Sequence, residues 1–171
     1  MRARGFTIIE AVIVTVVVGI LSVVSIVAIP AQIKSIKLNN LSDKMVSDFL
    51  YAQYIANGTG QFYGISIEVD PINVYSIYTT NGTTDTIVLD PSDKTNNYTI
   101  YANTDYGIKI SSVSITGGGK KIEFRPDGTP FTDKSQSPAN PLTSESIVTL
   151  SNGVTTRTVR ITPNTGRIYE Q

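Results

Sequence analysis

Residues 1–30 read MRARGFTIIEAVIVTVVVGILSVVSIVAIP, and from position 11 to position 33 the chain runs for 23 residues without a charge. At 1.5 Å rise per residue, the 19 residues 11–29 reach about 28 Å as a helix, close to the hydrocarbon thickness of a bilayer. The many Val and Ile favour strand in water. In lipid, however, a lone segment has to satisfy its own backbone hydrogen bonds, and that makes it helical. A cleavable secretory signal is the alternative, with Arg2 and Arg4 as its basic start. Such a signal has an apolar core of roughly 7–15 residues that ends at a small-x-small site. The core here is too long, and Ile29-Pro30-Ala31 is a poor site. Segment 6–30 is therefore expected to span a membrane. Pro30 removes an amide donor from the helix and is expected to kink it.

Glu10 sits at the hydrocarbon edge of this span. A carboxylate there costs on the order of 2.5–3.5 kcal/mol, so it needs a partner. Two partners are open to it, a cation supplied by another chain or the N-terminus of its own helix, and the side chain can instead snorkel to the headgroups.

Beyond the span the helix is expected to continue through 31–57. Leu38, Leu41, Met45, Phe49, Ala52 and Ala56 are spaced 3, 4, 4, 3 and 4, which keeps one apolar stripe on one face. Lys34, Lys37, Asp43, Lys44 and Asp48 are read as lying off it. Asn57-Gly58 offers a left-handed stop. Residues 58–171 then hold 11 of the 13 Gly, seven of the eight Pro and seven of the nine Tyr, a vocabulary of strands joined by turns. Alternation in 62–69 and 74–78, hinged at 70–73, predicts a hairpin. Further strands are expected at 86–89, 98–101, 108–110, 113–115 and 121–124. Asn152-Gly153 is expected to join 147–150 to 156–162 as a second hairpin, with 167–169 as a last edge strand. The fold class expected is α+β, a long N-terminal helix packed against an antiparallel all-β head at 58–171. No internal repeat is visible, and Gly117-Gly118-Gly119 reads as a turn. Residues 126–146 hold four Pro and no clear period, which leaves a partner-binding loop and disorder equally open.

Composition narrows the chemistry. With no Cys and no His in 171 residues, disulfides, zinc fingers, Cys or Ser-His-Asp nucleophiles and imidazole acid/base work are excluded. Asp70, Asp90, Asp93 and Asp127 each stand beside Pro, Gly or Ser, where Asp stabilises turns by bonding nearby amides. A calcium site among them has no support from ligand spacing. The chain is read as a non-enzyme without cofactor or metal. Its formal net charge of zero argues against a whole-surface nucleic-acid binder.

The start, Gly5-Phe6-Thr7-Ile8-Ile9-Glu10 behind a short basic leader and ahead of a long apolar helix, resembles the prepilin-type cleavage and methylation signal of type IV pilins and type II secretion pseudopilins. The resemblance covers about the first 30 residues. It implies a leader at 1–5, cleavage by a prepilin peptidase between Gly5 and Phe6, and N-methylation of Phe6. It also implies an inner-membrane location with the head outside the cytoplasm, and extraction by the assembly machinery into a filament. Orientation rests on this signal, because Lys34, Lys37 and Lys44 follow the span and make the positive-inside count indecisive. Cleavage creates an α-amino cation whose ordinary pKa is about 8. In an assembling filament that amine of one subunit is implied to pair with Glu10 of its neighbour. Pro30 departs from the family pattern, whose kinking Pro lies nearer the start.

Residues 122–129 (IEFRPDGT), 147–150 (IVTL), 157–162 (RTVRIT) and 166–169 (GRIY), with 47–54 (SDFLYAQY) and 75–78 (YSIY), look like the GspH/FimT family of minor pilins. That family implies a long N-terminal helix under two β-sheets. It also implies other pilin or pseudopilin subunits as partners, in a pseudopilus tip or a type IV pilus priming complex, with membrane lipid around the helix. FimT-like members are associated with DNA uptake through a basic C-terminal Gly-Arg-x-Arg. Here the stretch is Gly166-Arg167-Ile168-Tyr169, and the second Arg is missing. Arg157, Arg160 and Arg167 are the candidate DNA contacts. Residues 120–171 carry seven Lys+Arg against five acids. Each neutralised phosphate needs its own cation, so a mixed-charge, solvated sheet face is preferred to DNA binding. A major pilin is the competing structural reading.

Overall fold

The structure is a computed structural model that describes residues 6–132 and 141–171, with the backbone alone for 24–29. The chain divides into two compact units, Met1–Ile36 and Lys37–Gln171. One helix, α1 (Ile8–Thr59), contributes to both and contains Pro30.

In the first unit, the large apolar side chains between Phe6 and Val23 are exposed on every face of the helix. A helix that is apolar all round is built for a surrounding other than water. Among the described residues no helix is long and apolar enough to cross a membrane. The span expected at 6–30 includes 24–29, whose side chains lie outside those residues.

In the second unit, the expected stripe is the buried face of α1: Leu38, Leu41, Met45, Phe49, Ala52 and Ala56 are all removed from solvent. At about 1.5–3 kcal/mol for each large side chain, packing rather than propensity holds this helix. Asp48 is the exception to the sequence reading. It is buried among the core residues rather than placed on a solvated face. The helix also ends two residues later than Asn57-Gly58 suggested. Gly60, at φ +71, takes the left-handed position and donates its N–H to Ala56 O at 3.1 Å.

Two antiparallel sheets pack on that stripe. The first contains β1 (Phe62–Glu68), β2 (Val74–Thr80), β3 (Asp85–Ile87), β4 (Thr99–Tyr101), β6 (Lys121–Phe124) and β7 (Pro130–Phe131). Its order is β3-β2-β1-β6-β7, with β4 also on β2. The second contains β5 (Lys109–Ser114), β8 (Ser146–Ser151), β9 (Thr156–Ile161) and β10 (Ile168–Glu170), in the order β10-β9-β8-β5. Burial alternates along β8, where Ser146, Val148 and Leu150 are buried and their neighbours half-buried. Both expected hairpins form, β1–β2 and β8–β9. The β2–β3 and β8–β9 turns share a device: Asn81 Oδ1 accepts the N–H groups of Thr83 and Thr84, and Asn152 Oδ1 those of Val154 and Thr155.

Three differences from the sequence reading have local causes. The strands expected at 108–110 and 113–115 are one strand, β5, because a bulge between Ile110 and Ser112 interrupts the alternation without ending the pairing. The all-β head contains one π-helical turn, Ala102–Tyr106, closed by Gly107 at φ +70. Within 126–146, Pro130 and Phe131 form the edge strand β7 and Leu142 is buried, so part of that segment is ordered core. Residues 133–140 of it lie outside the described residues.

Candidate functional site

The N-terminus of α1 is a capping box. Thr7 donates its backbone N–H and its hydroxyl to Glu10 Oε2, both at 3.0 Å, and Glu10 returns its N–H to Thr7 Oγ1 at 3.3 Å. A Thr followed three residues later by Glu satisfies two otherwise orphaned helix donors reciprocally. Of the two partners open to Glu10, the single chain therefore uses its own helix N-terminus. The Thr7-x-x-Glu10 spacing was legible as a cap in the sequence, and the sequence reading gave Thr7 no role. All three bonds leave Oε1 out. Phe6 is exposed, and Gly5, with the rest of the leader expected at 1–5, lies outside the described residues.

Two of the three arginines, Arg160 and Arg167, reach the Glu145–Tyr169 pair, and the third is turned to the helix. Arg157 directs Nε to Asn39 Oδ1 of α1 at 3.2 Å. Arg160 is ion-paired through Nη1 with Glu145 Oε2 at 2.6 Å, and its Nε donates to Thr158 Oγ1. Glu145 also accepts the Tyr169 hydroxyl, and these two bonds hold its carboxyl below the usual range. Arg167 lies over the Tyr169 ring at 5.4 Å.

Sequence reasoning missed the densest polar centre of the head. Asp48 Oδ1 accepts the Tyr98 hydroxyl at 2.6 Å and the Lys44 ammonium at 2.7 Å, and Asp48 Oδ2 accepts the Tyr75 hydroxyl at 2.8 Å. Tyr75 is fully buried, and burial raises its hydroxyl well above the ordinary tyrosine value. Burial, with the bond to Asp48, pushes Tyr98 up to about 12. Burial opposes the charge on Lys44, but its bonds to Asp48 and Tyr98 outweigh that and raise it. The centre joins α1 to β2 and to the start of β4. It keys the helix to the sheet rather than facing a substrate.

Three of the four aspartates expected at turns behave as turn residues. Asp90, Asp93 and Asp127 accept N–H groups from Ser92, from Thr95 and Asn96, and from Thr129. The amides of Asn96 and Thr95 hold Asp93 down to about 2. Asp70 differs, taking the Asn73 side-chain amide and Lys109 instead of a backbone amide. Among the described residues, no group of His, Cys, Asp and Glu is placed to hold a metal ion. A surface groove of about 580 Å³ beside Phe62, Thr80 and Asn81 is lined by Gly, Thr, Asn and Gln without a titratable pair.

A helix packed through one stripe against two antiparallel sheets of this order is a pilin-like α+β fold. The minor pseudopilin EpsH of the Vibrio cholerae type 2 secretion system shares it at a TM-score of 0.56 and 12% identity, over 79% of this chain and 96% of that one. A second EpsH structure matches at 0.56 and 12%, over 78% and 92%. The type IV minor pilin FimU of Pseudomonas aeruginosa is similar at a TM-score of 0.48 and 16% identity, over 78% of this chain and 87% of that one. No protein-family model and no curated protein matches the chain. At these identities the likeness is one of fold.

Proposed function

We propose that this chain is a minor pilin or pseudopilin: a non-enzymatic subunit of a type II secretion pseudopilus or type IV pilus, of the GspH/FimT kind. A prepilin peptidase cuts it between Gly5 and Phe6, and the new N-terminus is methylated. Residues 6–30 anchor it in the inner membrane with the head outside the cytoplasm, until the assembly machinery draws it into a filament with other subunits. The observation that carries this reading is a helix with apolar side chains exposed on all faces, headed by Gly5-Phe6-Thr7-Ile8-Ile9-Glu10 and followed by a pilin-like head.

Assembly then turns on Glu10. The capping box holds its Oε2 on Thr7 and leaves Oε1 toward an incoming cation, so the amine of a neighbouring Phe6 adds to the cap rather than replacing it. Such a pair is strong in the low dielectric of a filament core and weak in water. A solvated, mixed-charge sheet face remains our preference over DNA binding at Arg157, Arg160 and Arg167, supported by the Arg160–Glu145 ion pair and the Arg157–Asn39 bond.

The intact mass of the protein purified from its own membrane tests maturation. Methyl-Phe6 as first residue is expected, and a retained Met1 overturns the reading. Replacing Glu10 with Val is expected to leave processing intact and abolish entry into sheared filaments. Incorporation at the wild-type level refutes the pairing.

A further inference from the structure

Four Asn-x-Ser/Thr triplets stand in the chain: Asn40-Leu41-Ser42, Asn57-Gly58-Thr59, Asn81-Gly82-Thr83 and Asn97-Tyr98-Thr99. Such a triplet, with any residue but Pro in the middle, is an acceptor for N-linked sugar on the surface of exported proteins. The pattern recurs by chance in a chain rich in Asn, Ser and Thr, so the structure has to choose among the four. Transfer calls for an amide in solvent, a free hydroxyl two residues on, and a loop backbone that an enzyme can grip.

The fold denies these to three of the triplets. Asn40 and Ser42 lie inside α1, and the Ser42 hydroxyl is fully buried. Asn57 and Thr59 are also helical, and the Thr59 hydroxyl donates to Ile55 O at 2.7 Å. In the triplet at 97–99, Tyr98 is buried with its hydroxyl on Asp48, and Thr99 Oγ1 bonds Ser76 Oγ at 3.1 Å where β4 pairs with β2.

Asn81 meets all three requirements. It opens the β2–β3 turn, where Asn81, Thr83 and Thr84 are exposed and Gly82 takes φ +91. Asn81 Oδ1 accepts the N–H groups of Thr83 and Thr84, both at 2.8 Å. Those bonds draw electron density to the oxygen and make an Nδ2 proton easier to remove. Neither Asn81 Nδ2 nor the Thr83 hydroxyl has a hydrogen-bond partner among the described residues. Beside Asn81 opens the groove of about 580 Å³, lined by Gln61, Thr79, Thr84 and Thr86. Its volume falls in the range of small-ligand sites, about 300–1,000 Å³, and its hydroxyls and amide match the hydroxyl groups of a sugar.

We propose that Asn81 is an N-glycosylation site. Nδ2 attacks the anomeric carbon of an oligosaccharide carried on a polyprenyl diphosphate. The N–C1 bond forms, the C1–O bond to the diphosphate breaks, and Nδ2 gives up one proton to the transferase. The inference rests on the head lying outside the cytoplasm.

Full-length chain purified from its own membrane would be digested and its peptides read by tandem mass spectrometry, with the N-terminal peptide of the same sample reporting maturation. A saccharide on the peptide holding Asn81 is expected, lost in Asn81→Gln and Thr83→Ala and restored by Thr83→Ser. Thr83→Ala keeps the backbone N–H that Asn81 accepts, so the turn persists and only the hydroxyl goes. The β8–β9 turn is the internal control: Asn152 Oδ1 accepts the same two N–H groups, but Val154 stands where the hydroxyl would be, and this turn is expected bare. A saccharide at 81 that survives Thr83→Ala, or one found at 40, 57, 97 or 152 with 81 bare, overturns the assignment. So does an Asn81 that is intact or merely deamidated to Asp in a chain beginning with methyl-Phe6, an outcome that leaves the pilin reading standing. An unmodified Asn81 with Met1 retained overturns both.

Discussion

Replacing Asp48 with Ala removes the acceptor of three hydrogen bonds at 2.6–2.8 Å from Tyr98, Lys44 and Tyr75. The Tyr75 hydroxyl, sealed from water, is left without an acceptor, which costs about 1–3 kcal/mol. Tyr98, 6% exposed, loses its acceptor as well. The Lys44 side chain is 34% exposed, so its ammonium returns to water and adds little. The total is about 2–6 kcal/mol, the sum of two orphaned hydroxyls, against a whole-domain stability of roughly 5–15 kcal/mol. Chemical denaturation of the full chain in detergent, followed by near-ultraviolet circular dichroism of the tyrosines, measures it. Tyr75→Phe alone is expected to cost about 1.5–3 kcal/mol. The double variant should cost less than the sum, because removing both partners leaves no orphan at that bond. An Asp48→Ala variant within 0.5 kcal/mol of the parent, a bound smaller than any single loss reckoned here, would refute the reasoning.

Two further outcomes follow from the same head. In Gly64→Ala, the new Cβ would lie 2.7 Å from Glu123 Cγ, 2.8 Å from Ile122 O and 2.9 Å from Tyr78 Oη. One of these is backbone, so the sheet must spread at about 1–3 kcal/mol; an unchanged melting temperature would contradict it. The second concerns alkaline pH. Tyr98 is raised from 10.0 to about 12, so its neutral form is the one folding favours. That stability is complete below pH 10 and lost as pH rises through about 12. Tyrosinate absorbance and circular dichroism should show loosening in that window, and a Tyr98→Phe variant should lose the Tyr98 share of that alkaline dependence.

The sequence on its own determined the elements that obey one local rule. A period of 3.6 placed Leu38 to Ala56 on one buried face, alternation placed β1 and β2, and Asn152-Gly153 placed the β8–β9 hairpin. These signals are local, since each residue's fate follows from neighbours three or four positions away or directly beside it. Tertiary structure decided the rest. Asp48 reads as a solvated helix charge until Tyr75 and Tyr98, 27 and 50 residues away, bring their hydroxyls to it. The β5 bulge, the edge strand at Pro130–Phe131 and the helix end at Gly60 depend in the same way on what lies across the sheet or on the closing hydrogen bond. Glu10 lies between the two cases. Its cap was written in Thr7-x-x-Glu10, but a carboxylate with two possible partners is assigned only when the geometry shows which one it holds.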